Sequence, residues 1–355
     1  MRRQLIASDK PFGYAGFALA IGSHAGSLPA RDTRALFVNF IILLVILLGL
    51  AGVATYLYTL YFRKGAFFEV NGVRLHYVEA GQGTPVILVH GLAAEHVGNW
   101  MLPRVFQRLS KRYRVIALDI RGHGKSDKPH DPAQYGLEMV DDVVRLMDHL
   151  GIAKAHVVGY SLGGFITLKL ALKYPQRLLS AAPCGAGWTA NPTEELKLLF
   201  NISDDVAGGR GITALLKWLQ VPNKPLAAPV LWFINRMTCA LNDMKALSCL
   251  LRNLPVLVAT ESDVQGNVVP CLAIVGENDH MKLFADQLAG AMPNLELLVL
   301  PRCDHITTLL SRKLVPALMA FLDRHTPEEI HEHQGAEDTS WRLTPPCPSG
   351  SLRPQ

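Results

Sequence analysis

Apolar residues are distributed along this chain in three distinct ways. From Ala35 to Phe62 they run without a single charged side chain, and Asn39 is the only strongly polar residue. That stretch exceeds the roughly 20 residues needed to cross a hydrocarbon layer, and it lacks the polar stripe of a surface helix. Tyr56, Tyr58, Tyr61 and Phe62 gather at its end, just before Arg63 and Lys64, where a spanning helix would meet headgroups. The pattern predicts one transmembrane helix over 35–62. A cleaved signal peptide is the rival reading, but its apolar core is typically about 7 to 15 residues and begins close to the N-terminus.

From Phe67 onward the pattern becomes short β-branched runs separated by amphipathic segments. Phe67–Val70 and Val73–Val78 flank Asn71-Gly72, the strongest short hairpin signal, so an antiparallel pair opens the sheet. Val86–Val89, Val115–Leu118 and Ala155–Val158 read as buried parallel strands, as do Pro270–Val275 and Leu295–Leu300 further on. Met139, Val140, Val143, Met147 and Leu150 recur at helical spacing and stop at Gly151, which predicts a crossover helix. Between about 185 and 265 lies a third regime, an insertion of helical apolar patches carrying Leu199, Leu215, Trp218 and Trp232. The expected organisation is an N-terminal arm over 1–34, the spanning helix over 35–62, a catalytic domain over 65–325 and a polar, proline-bearing disordered tail over 326–355.

One pentapeptide concentrates the chemistry. Gly159-Tyr160-Ser161-Leu162-Gly163 follows an apolar strand and precedes a helical segment from Phe165 to Tyr174, the context of a nucleophile elbow. The flanking glycines leave room for a serine held at a strained turn, and the helix behind it directs N–H groups toward developing negative charge. Serine needs a base and an orienting acid. Asp279 follows the strand ending at Val275, and His305 follows the strand ending at Leu300, so both emerge at strand ends. Asp304 and Glu277 are rival acids. Asp304 adjoins His305 and points away from it, and Glu277 comes before the loop has cleared the strand.

With His90-Gly91 and the stretch Asp119-Ile120-Arg121-Gly122-His123-Gly124-Lys125-Ser126, these motifs, in this order, resemble the α/β-hydrolase family from about Phe67 to Leu322. The resemblance implies an α/β fold, a mostly parallel sheet flanked by helices, with the insertion over about 185–265 acting as a helical cap. It also implies that Leu92 and Leu162 supply the backbone N–H groups of an oxyanion hole, with His90 structural. Trp100, ten residues after His90, is a candidate lining residue of the acyl pocket, or an aromatic packed beneath the loop. His123 is expected to brace backbone through hydrogen bonds.

Composition narrows the field. The net charge of +5 over 355 residues is scattered, without an arginine block or basic-aromatic alternation, so nucleic-acid binding has no support. Six cysteines show no C-x-x-C spacing, and His331-Glu332-His333 sits without further ligands, so neither a metal site nor a cofactor is predicted. Positive charges at Arg31 and Arg34 nearly balance Arg63, Lys64 and Arg74, and the positive-inside rule sets no orientation. The chain reads as a single-pass, membrane-anchored serine hydrolase acting on a small-molecule ester with apolar acyl groups, lipids among the candidates. Carbon–carbon bond hydrolysis or perhydrolysis on the same triad remain open, as does a non-catalytic binding protein of the same fold.

Overall fold

The computed structural model describes residues 39, 41–47, 52, 55, 65–221 and 225–327. The chain divides into two units, Met1–Phe62 and Arg63–Gln355. In the first, the described residues are helical, and those over 41–47 are exposed. Among the described residues no helix is long and apolar enough to cross a membrane, so the predicted span is not shown. Most of 35–62, the whole arm over 1–34 and the tail from 328 onward lie outside the described residues.

The second unit is built on an eight-stranded sheet. β1 (Ala66–Val70) and β2 (Val73–Ala80) form the opening hairpin around Asn71-Gly72, where both residues have positive φ, as a type I′ connection demands. β3 (Pro85–Val89) is followed by a π-helical turn over Val97–Met101 and the short α1 (Val105–Leu109). β4 (Arg114–Leu118), α2 (Leu137–His149), β5 (Ala155–Tyr160), α3 (Leu162–Lys173) and β6 (Leu178–Cys184) come next. Five helices then intervene before the sheet resumes: α4 (Thr193–Ala207), α5 (Thr213–Trp218), α6 (Ala228–Leu241), α7 (Met244–Asn253) and α8 (Glu261–Gln265). β7 (Cys271–Gly276), α9 (Lys282–Ala291), β8 (Leu295–Leu300) and α10 (Leu314–Arg324) complete the unit.

The strand order is β1-β2-β4-β3-β5-β6-β7-β8. β2 is antiparallel to both its neighbours and the remaining pairs are parallel. Every residue of β5 and β7 is buried, because helices cover both faces of a parallel sheet and leave no water-facing row. α3 packs behind β5 and β6, burying Ile166, Leu170 and Ala171 into the same core as Val157 and Ala181. The cap helices have a smaller core of their own, with Ile202 and Val206 of α4 against Leu247 and Leu251 of α7. Parallel winding sends every strand-to-helix turn to one edge of the sheet, and the loops after β3, β4, β5, β7 and β8 meet there.

Candidate active site

Ser161 stands between β5 and α3 with φ 55° and ψ −116°, a conformation that costs a non-glycine residue about 1–3 kcal/mol and persists only where the surroundings impose it. Its amide donates to the Cys184 carbonyl at 2.9 Å. A Cβ on Gly159 would lie 1.9 Å from the Gly163 carbonyl oxygen, and one on Gly163 would lie 2.0 Å from that of Val89. The two glycines thus allow α3 to start directly against the strand ends. The Ser161 hydroxyl does not cap α3 and faces a cavity instead.

His305 and Asp279 meet at the same edge. His305 Nδ1 lies 3.0 and 2.9 Å from the two Asp279 oxygens, and both residues are buried. A carboxylate facing Nδ1 fixes the proton there and leaves Nε2 as an acceptor. The Met281 amide donates to Asp279 Oδ1 at 2.9 Å and secures the acid in turn. The rival acids are engaged elsewhere: Glu277 accepts from the Arg302 amide at 2.8 Å, and Asp304 accepts from the Ile306 and Thr307 amides at 3.0 and 2.8 Å. His280 packs on Trp218.

The loop after β3 runs alongside the serine, and a Cβ on Gly91 would come within 3.2 Å of Ser161 Cβ. The Gly91 amide donates to Asn99 Oδ1 at 2.7 Å, and the Ala93 amide donates to His123 Nε2 at 3.0 Å. The backbone on either side of Leu92 is thereby fixed, and Leu92 and Leu162 both line the cavity. Burial first, then the neighbouring His90, brings the His123 pKa down to about 3, so His123 is neutral and able to accept that bond. His90 Nδ1 donates to the Gly91 carbonyl at 2.8 Å while its Nε2 accepts from the Ile120 amide at 3.1 Å.

Beneath these loops Asp119 is fully buried between His76 and His96, whose Nδ1 atoms lie 2.9 and 2.7 Å from its two oxygens. The three side chains are close enough together to ligate a metal. Their ring protons are used on the carboxylate, which also accepts from the His96 and Lys125 amides at 3.0 and 3.1 Å, so its lone pairs are filled by hydrogen bonds. Burial opposes ionisation of Asp119, but the histidine hydrogen bonds outweigh it and hold the carboxyl well below the usual range. The cluster pins the loop from Asp119 to Ser126 onto the sheet.

Trp100 is placed differently from the expectation that it lines the acyl pocket. It is fully buried, off the cavity wall, while Gly98 and Asn99 of the same π-helical turn do line the cavity. The turn presents the small and polar residues to the cavity and packs the indole beneath the loop. Two lining residues carry no sequence signal of their own. Tyr160 donates its hydroxyl to the His305 carbonyl, and adjacency to the serine is its only hint. Glu195 sits in the first turn of α4, where a glutamate ordinarily bonds the N-cap amide, but the N-cap here is Pro192, which has none. Its Oε2 is buried without a partner among the described residues.

The cavity has a volume of about 520 Å³ and its wall is largely apolar, with leucines of the cap such as Leu199, Leu215 and Leu216 facing Phe165, Phe284 and Ile306 from the sheet side. Among the described residues that line it none is lysine or arginine, and Glu195 is the one acid.

A profile of the alpha/beta hydrolase fold matches residues 84–206. The dihydrolipoyllysine-residue acetyltransferase component of an acetoin cleaving system from Pseudomonas putida is 31% identical over 72% of this chain and 69% of its own length. The chain belongs to the alpha/beta hydrolase fold family. A 2-hydroxy-6-oxononadienedioate/2-hydroxy-6-oxononatrienedioate hydrolase from Comamonas testosteroni is 28% identical over 66% of this hydrolase-family chain and 86% of the relative. Among solved structures, the meta-cleavage product hydrolase CumD from Pseudomonas fluorescens superimposes with a TM-score of 0.60 at 25% identity, covering 73% of this chain and 98% of that one. The chain spans 33% of the first curated relative it matches, against 86% and 69% of the next two. A hydrolase is the activity class these relationships support.

Proposed function

We propose that this α/β hydrolase cleaves carboxylic esters of apolar acyl groups by a serine mechanism, and that residues 35–62 anchor it to a membrane. The observation that carries the reading is the buried Asp279–His305 pair at the same apolar cavity as a serine held at positive φ. His305 Nε2 takes the proton of Ser161 as Oγ attacks the ester carbonyl, and the Leu92 and Leu162 amides receive the oxyanion. Collapse of the tetrahedral intermediate breaks the bond to the alcohol oxygen, which leaves with the proton from His305. A water, deprotonated by the same nitrogen, then releases the acid and restores Ser161. Asp279 keeps the imidazole in the reactive tautomer throughout.

Carbon–carbon bond hydrolysis is the second reading, favoured by the activity printed for the Comamonas relative. That relative's substrate is a dioate, which carries carboxylates. A wall without lysine or arginine and with Glu195 offers such an anion no partner, and an apolar acyl chain suits it better. The anchor is supported by 28 consecutive residues without charge over 35–62.

A fluorophosphonate probe tests the serine directly. The wild-type chain is expected to be labelled and Ser161→Ala unlabelled, with ester turnover falling by about 10⁴-fold or more in the variant. A folded wild-type protein that takes no label removes the serine mechanism. A dienoate cleaved while p-nitrophenyl esters of every chain length are left intact selects the carbon–carbon reading.

A further inference from the structure

Helix α6 carries an apolar face that nothing among the described residues of the second unit covers. Val230, Phe233, Met237 and Leu241 recur at spacings of three, four and four, which places them on one stripe of the helix, and Trp232 is exposed on the far side of Arg236 from it. Trp232 is 67% exposed, Phe233 58% and Leu241 75%. The opposite side of the helix is anchored, with Leu231 buried and Asn235 accepting from the Ile212 amide at 2.7 Å. Five large apolar side chains exposed on one helix, Val230, Trp232, Phe233, Met237 and Leu241, exceed what a water-facing helix ordinarily shows. Arg236 is the only charged residue from Leu226 to Leu241.

The strand register shows at which edge of the sheet the second unit begins. Ala66 pairs with Tyr77, Tyr77 with Leu118, Leu118 with Val89, and Val89 with Gly159. This single row crosses the sheet from the first residue of β1 to the nucleophile strand, over four steps of about 4.8 Å. The chain therefore enters the sheet at the edge that bears Ser161 and the cap, about 19 Å away across the strands.

We propose that the exposed apolar side of α6, which carries Phe233 and Trp232, lies in the interfacial layer of a lipid bilayer. The proposal rests on the anchor reading and adds a second, independent contact to it. A helix with a bulky aromatic and aliphatic face, one arginine and no acid is suited to the headgroup boundary. α5, which packs against α6, contributes Leu215, Leu216 and Trp218 to the cavity wall, so one helix separates the exposed face from the site.

The full chain, reconstituted in phosphatidylcholine–phosphatidylglycerol vesicles containing brominated phospholipid, provides the test. No tryptophan lies in 1–65, so indole quenching reports on the second unit. The expected result is bromine quenching of the wild-type emission that is lost in Trp232→Phe. In parallel, Phe233→Ser with Met237→Ser is expected to lower kcat/KM about tenfold for a long-chain ester presented in vesicles, with turnover of a soluble butyrate ester unchanged. Equal quenching in wild type and Trp232→Phe overturns the proposal. So does protection of Trp232 from acrylamide in lipid-free detergent with a dimeric mass, which assigns the stripe to a second copy of the chain. If no ester is turned over, the hydrolase reading fails on its own, and the quenching result still decides the position of α6.

Discussion

Buried histidines in this molecule divide by what their ring nitrogens meet. His305 faces a carboxylate, whereas His156 lies between the Ser180 and Thr326 hydroxyls at 2.7 and 3.1 Å, and burial, with His325 adding to it, brings its pKa down to about 3. An unfolded histidine titrates near 6.5, so the unfolded chain binds the proton first as pH falls. The stability from a neutral His156 is complete above about pH 6.5 and is lost as pH falls toward about 3; at pH 5 the loss is about 2 kcal/mol. Urea unfolding at pH 7.5 and pH 5 is expected to show a smaller drop between the two for His156→Gln than for wild type, and equal drops would refute it. Residues whose role is set at strand ends were legible in the sequence, because the apolar runs before Ser161, Asp279 and His305 fix where those side chains emerge. Trp100 and Glu195 were not, since their placement depends on how a π-helical turn faces and on a proline occupying an N-cap.

At the scale of elements, α2 is tied to the loop after β4 by a buried pair. Arg121 Nε and Nη2 donate to the two Asp142 oxygens, each at 2.7 Å, and Nη1 donates to the Gln134 carbonyl at 2.6 Å. Both side chains are excluded from water. Removing Arg121 leaves the buried Asp142 with only the longer contact to Arg145 Nη1 at 3.3 Å, so Arg121→Leu is expected to cost about 3 kcal/mol in chemical denaturation. The double variant Arg121→Leu with Asp142→Leu is expected to recover most of that, and failure to recover would show that the pair specifies more than charge balance. Periodicity revealed the parallel strands and α2 because a two-sided sheet needs continuous apolar runs and a covering helix needs a 3.6-residue stripe. β6 was harder to read: Pro183 within it lacks an N–H for a continuous ladder, and the strand registers with β7 at Ala181 alone. The cap could be placed by its position in the chain, but the exposed side of α6 and the buried side of α7 could not be told apart from their similar apolar content.

For the molecule as a whole, the sheet edge carries the candidate triad and the cap supplies half of the lining residues. Their joint product is a chamber with a carboxylate on its surface and no cation among the described residues lining it. Ester hydrolysis turns a neutral substrate into an anion. Inside that chamber the newly formed acid meets Glu195 without any lysine or arginine to hold it, and an unpaired carboxylate in an apolar enclosure is strongly disfavoured. Octanoate and dodecanoate are accordingly expected to inhibit only weakly, with inhibition constants more than about tenfold above the KM of the matching esters, equivalent to at least about 1.4 kcal/mol of discrimination. A fatty acid that binds as tightly as its ester would contradict this. Glu195→Gln should narrow the gap. On the proposed ester reading, the charge created by each turnover would thus expel its own carrier, and a lining without a cation among the described residues would bias traffic through the site toward uptake of neutral lipid and discharge of soap.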